Sequence, residues 1–142
     1  MDNRICYLNT DLVITSGDDL SELSAAFKVG GVRTWCLTQD GGTDWYATLS
    51  TLEGFADPQS DIATMLDVIE SFTKPLRTIW DGCSRRELNI GYDCGIEPWA
   101  FNQGLSSNLL ERMASAGCSL RITLYPDHDA VANPATPRPD ID

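Results

Sequence analysis

"LLERMASAGCSLRITLYPDHD", residues 109–129, joins an amphipathic run, a glycine, an alternating run and a polar end. Leu109, Leu110, Met113 and Ala114 form an apolar stripe at helical spacing, and Asn108 with Glu111 has the spacing of a capping box. Gly117 stands where a helix exit favours a left-handed residue. Leu120, Ile122 and Leu124 then alternate with Arg121 and Thr123, which predicts a strand ending at Tyr125. The same string holds Cys118 and the chain's single histidine, His128, between Asp127 and Asp129. A nucleophilic thiol needs a depressed pKa. Cys118 follows a helix C-terminus, where the dipole opposes a thiolate. Adjacent residues such as "DHD" point different ways on an extended chain and seldom converge on one ion. The string therefore predicts helix, exit, core strand and tail, and assigns no catalytic residue and no metal.

Upstream, "ICYLNTDLVIT" (5–15) alternates in part, with Cys6, Leu8, Leu12 and Ile14 on one side of a strand. Ser16 and Asp19 have capping-box spacing ahead of a helix carrying Leu20, Leu23 and Phe27, which Gly30-Gly31 stops. "VRTWCLT" and "DWYATLS" flank "QDGG", which predicts a hairpin with Trp45, Ala47 and Leu49 sharing a face. Pro58 and Ser60 mark the entry to a helix whose Ile62, Met65, Leu66, Ile69 and Phe72 give the clearest amphipathic pattern in the chain. Pro75 is expected to end or kink it, leaving Leu76, Ile79 and Trp80 for one further turn. "RELNIGY" places Leu88, Ile90 and Tyr92 inward as a strand, and a loop with Trp99 and Phe101 follows. The sum is α+β: a mainly antiparallel sheet of about five strands with two to three helices on one face. One domain is expected over 1–125, with a flexible tail over 126–142 that holds four of the seven prolines.

The chain has 142 residues and a net charge of −11. That charge disfavours nucleic acid as a partner, since phosphate binding rests on basic groups. It favours a basic partner, or serves solubility alone. The five cysteines are odd in number and lack C-x-x-C spacing, so neither a disulfide framework nor a thiolate zinc site is indicated. No secretion-type leader or membrane-length apolar run is evident, and a cytoplasmic protein that does not engage membranes is expected. The glycine pairs lack dinucleotide or P-loop spacing, and no cofactor is expected.

From Thr34 to Thr73 there is no Lys or Arg but seven acids. The acidic block with its embedded aromatics comprises Asp40, Asp44, Trp45, Tyr46, Glu53, Phe55, Asp57 and Asp61. Carboxylates steer a basic partner and aromatics anchor the desolvated centre of an interface. The same residues also suit a solvated edge whose aromatics face the core. Asp40, Asp44, Trp45, Asp57 and Asp61, with Trp99 beyond the block, are the candidate partner-binding residues.

"DDLSELSAAF", the "VRTW" after it, the "DWY" strand and "LSSNLLERMASAGCSLRITLY" (105–125) together resemble a bacterial family, domain of unknown function 4279. The resemblance runs over roughly residues 4–125. The chain departs from it in the hairpin, where "CLTQDGG" stands in place of a basic, glycine-containing segment. The resemblance implies no established reaction, and some members look like immunity proteins that bind and block a cognate toxin. The leading expectation is thus a non-enzymatic immunity-type binding protein with a toxin or another basic protein as partner. A small-molecule-binding or regulatory domain, with a pocket between sheet and helices, is the alternative.

Overall fold

The computed structural model describes residues 3–52 and 57–126. Its elements are β1 (Cys6–Ser16), α1 (Ser21–Val29), β2 (Val32–Gln39), β3 (Trp45–Thr51), α2 (Pro58–Glu70), α3 (Lys74–Asp81), β4 (Arg85–Asp93), α4 (Ser107–Ser115) and β5 (Ser119–Tyr125). The strands form one sheet in the order β2-β3-β1-β4-β5. Every pairing is antiparallel except β4 with β5, which α4 connects as a crossover. The fold is α+β, with four helices among the described residues against the two to three expected. Glu53, Phe55, His128 and the tail beyond Pro126 lie outside the described residues.

The α2 stripe organises the core. Asp57 caps the helix by accepting from the Ser60 N–H at 2.9 Å, and Pro58 occupies its first turn. Ile62, Met65, Leu66 and Ile69 are fully buried. Each is worth about 1.5–3 kcal/mol of transfer free energy. They pack with Leu12, Ile14, Leu49 and Leu88 from the sheet and with Leu23 and Phe27 from α1. Phe27, Phe72 and Trp80 close one end of the core as an aromatic triad with centroids 5.5–6.3 Å apart. The Trp80 indole donates to the Ala116 carbonyl at 2.9 Å, tying α3 to the exit of α4.

Four local expectations are corrected. Pro75 lies in the first turn of α3, so it opens a new eight-residue helix rather than closing α2. The Ser16–Asp19 capping box does not form. Ser16 accepts from the Asp18 N–H and Asp19 from the Ser21 N–H, and α1 begins only at Ser21. The α4 cap is Ser106, accepting from the Leu109 N–H, rather than Asn108. Its buried residues are accordingly Leu109, Met113 and Ala116, while Leu110 is exposed. In β1, an irregularity between Tyr7 and Asn9 inserts one residue against β4. That bulge reverses the facing of everything before it, so Cys6 and Leu8 are exposed and Tyr7 turns toward the helices.

Both glycine exits perform as expected. Gly31 has φ +85° after α1 and Gly117 has φ +74° after α4, a region that L side chains seldom adopt. β5 differs from its expectation. It is an edge strand, and Leu120, Ile122, Leu124 and Tyr125 are exposed rather than part of the core.

Candidate functional site

The acidic block does not assemble into one surface. Asp61 is only 1% exposed. One of its oxygens accepts from the Thr51 hydroxyl at 2.7 Å and the other from the Tyr7 phenol, which also meets Thr10. Burial, and then the adjacent carboxylate, push the Tyr7 phenol well above its usual range, so it remains a donor. Asp61 thus ties α2 to β1 and β3 from inside. Asp57 is committed to its helix cap. Asp40 closes the hairpin, accepting from the Gly42 N–H at 2.9 Å and the Asp44 N–H at 3.3 Å, and it also receives the Tyr46 hydroxyl. Asp67 and Glu70 both engage Arg112 of α4, and that bond holds the Glu70 carboxyl below its usual range.

Of the six candidates, Asp40 and Trp99 are exposed and belong to different loops, while Asp44 is half-buried. Trp45 is half-buried and packed against the core beside Ala47 and Leu49. Trp99 is 99% exposed, in the segment that links β4 to α4.

A different surface emerges around Trp99. The Cys94 N–H donates to the Tyr125 carbonyl at 2.8 Å, which anchors this segment at the C-terminal end of β5. Asn3 receives the Ile96 and Glu97 N–H groups, and the Ile5 N–H donates to the Glu97 carbonyl at 2.7 Å. Gly95 is required where the strands of chain cross, because a Cβ there would overlap the Asn3 carbonyl. Phe101 folds back edge-on to Tyr92, centroids 5.7 Å apart. The result is a cavity of about 370 Å³ lined chiefly by Ile5, Tyr92, Phe101, Ile122 and Leu124. It opens onto the exposed side of β5, with Ile96 and Trp99 standing free nearby in sequence.

Nothing in the sequence pattern separated this surface from a core strand, because the alternation of β5 is that of a buried strand. The exposed aromatic at Trp99, set in an irregular segment, was the one available signal.

Cys83 is buried and Cys118 half-buried, whereas Cys6 and Cys36 are exposed. Burial pushes Cys118 up to about 11 and raises Cys83 as well, so both remain protonated at neutral pH. Among the described residues, no three His, Cys, Asp or Glu side chains gather as possible metal ligands. No helix among them is long and apolar enough to cross a membrane. Comparison of the chain with family models, curated proteins and solved structures finds no match.

Proposed function

We propose that the chain is a non-catalytic protein-binding domain that docks a partner through β5 and the adjoining 94–104 segment. The observation that carries this reading is the bare apolar stripe Leu120, Ile122 and Leu124 on an edge strand. Contiguous apolar surface of this kind is costly to leave in water, and an unpaired strand edge is a template for another strand. The fitting occupant is an extended segment of a partner protein with apolar side chains at alternate positions. It would add main-chain hydrogen bonds along β5 and seat one side chain in the 370 Å³ cavity. The net charge of −11 favours a partner of net positive charge and speeds its approach without defining the contact. An immunity-type role, in which a cognate toxin supplies that segment, is consistent with these features and with the family resemblance. The docking surface moves from the acidic block to the far edge of the sheet.

The test is affinity capture from the native host with three baits: wild type, Ile122→Lys and Asp40→Asn/Asp44→Asn. A stoichiometric protein held by wild type and the double Asn variant, but lost with a folded Ile122→Lys, supports the proposal. Equal retention by Ile122→Lys, or loss confined to the Asn variant, sinks it.

A further inference from the structure

The opposite edge of the sheet carries a second feature. Arg85, Arg112 and Arg121 pair with carboxylates, and Arg77 and Arg86 donate to backbone carbonyls. Lys28 and Arg33 have no carboxylate partner among the described residues, yet both line one cavity of about 290 Å³ with Ser24, Thr34 and Leu52. Two uncompensated cations brought together in a chain of net charge −11 ask for a cause other than solubility.

The local fold explains how they meet. Ser24 and Lys28 lie one turn apart on the same side of α1. The Gly30-Gly31 exit, with Gly31 at φ +85°, returns the chain so that Arg33 and Thr34 open β2 against that side. The Leu52 N–H donates to the Gly31 carbonyl at 2.9 Å and brings an apolar wall to the cavity. The Arg33 guanidinium lies 4.3 Å from the centroid of the Trp35 ring, and the Trp35 indole is held in turn by the Ser50 hydroxyl. Stacking of this kind fixes the orientation of a side chain that otherwise samples many rotamers.

The hydroxyls add a donor. Ser24 and Thr34 hydrogen-bond to each other. That bond uses one hydroxyl proton of two, and the second is left to donate elsewhere. The cavity thus offers an ammonium, an oriented guanidinium and a spare hydroxyl proton, with no carboxylate in its described lining. A Lys in the last turn of a helix also complements the dipole, and an Arg over a Trp also shields an edge. Neither role requires the two cations to share a cavity with a free hydroxyl proton.

We infer that this cavity binds a compact oxyanion, a phosphoryl group above others, whose two charges match the two cations. The site stands at the β2 edge, away from β5, and does not depend on the docking proposal.

The experiment is an amide chemical-shift titration of the full chain with inorganic phosphate, carried into the millimolar range in low-salt buffer at neutral pH. Saturable shifts centred on Ser24, Lys28, Arg33 and Thr34 are expected. Lys28→Ala and Arg33→Ala should each weaken binding about tenfold, and Thr34→Val by less. Both cationic side chains are exposed, so these variants should fold normally, which their amide spectra would verify. A parallel titration with glycerol 3-phosphate separates the sources: tighter binding than phosphate assigns a phosphate ester, equal binding the free ion. Shifts reproduced by sodium chloride, an absence of saturation, or full binding by the Lys28→Ala/Arg33→Ala double variant would overturn the inference.

Discussion

β4 and β5 are hydrogen-bonded neighbours with nearly the same pattern, "LNIGY" at 88–92 against "LRITL" at 120–124. Their registers align Leu88 with Leu120, Ile90 with Ile122 and Tyr92 with Leu124, so both apolar rows face the helix side. Yet Leu88, Ile90 and Tyr92 are 0%, 3% and 8% exposed, whereas Leu120, Ile122 and Leu124 are 44%, 58% and 62% exposed. The strands differ in what lies over them. The buried stripes of α2, α3 and α4 join the cluster that covers β4, and no residue of β5 belongs to that cluster. Alternation in a sequence reports that one face of a strand is apolar, and the helix layer alone decides whether that face is filled from within the chain.

The largest test of this contrast replaces the paired isoleucines one at a time. Ile90→Ala should cost about 2–5 kcal/mol, since it removes a filled volume from the core. Ile122→Ala should cost under about 1 kcal/mol, as most of its side chain is already in water. Urea denaturation of both variants measures the two numbers. Equal losses would mean that the face of β5 is covered in the free chain, and the docking proposal would lose its basis.

The same contrast marks what was legible in the sequence. The α2 stripe from Ile62 to Ile69, the hairpin and both glycine exits rest on local rules of spacing and backbone sterics, and they appear where those rules put them. The helix itself ends at Glu70 and leaves Phe72 beyond it. The bulge in β1 was not legible, because it depends on how β4 registers against residues 7–9 and no residue there announces it. Ser16 and Asn108 had capping-box partners at the right spacing, but nearby residues offered competing caps that only the helix positions select. The exposure of β5 and the burial of Asp61 are tertiary facts. Asp61 reads as one more acid in a charged run until Tyr7 and Thr51 are seen to close on it.

A second, smaller contrast lies within that run, between Asp61 and Asp44. Asp61→Ala leaves the Tyr7 and Thr51 hydroxyls facing a vacated interior site, and unsatisfied buried donors cost about 1–3 kcal/mol. Asp44→Ala changes a half-buried turn residue whose side chain holds no hydrogen bond among the described residues, and should stay within about 0.5 kcal/mol of wild type. Thermal or urea unfolding of the two variants resolves the difference. Should Asp61→Ala prove neutral, the buried carboxylate would not be what ties α2 to the sheet. A loss of stability with Asp44→Ala would show the hairpin tip to be more constrained than its hydrogen bonds indicate.

The smallest expected effect concerns what holds β5 in place when its apolar side contributes little. On the open face of the sheet Glu87, nearly buried, receives Arg85 at 2.7 Å and Arg121 of β5 at 2.9 Å, while the Thr123 hydroxyl donates to Asn89 at 2.7 Å. The bond from Arg121, ahead of that from Arg85, holds the Glu87 carboxyl below its usual range. A carboxyl whose folded pKa lies below its unfolded value stabilises fully above the unfolded value, near pH 4.3. That contribution fades as pH falls through the folded value. Both arginines are about half in water. Solvent screening therefore limits the effect to about 1 kcal/mol at neutral pH. Wild type should exceed Glu87→Gln by that margin at pH 7 and converge with it in acid. Amide exchange should show the loss first along β5. A gap that persisted below the folded pKa would trace to packing of the new amide, and the Glu87–Arg121 pair would not be what holds β5.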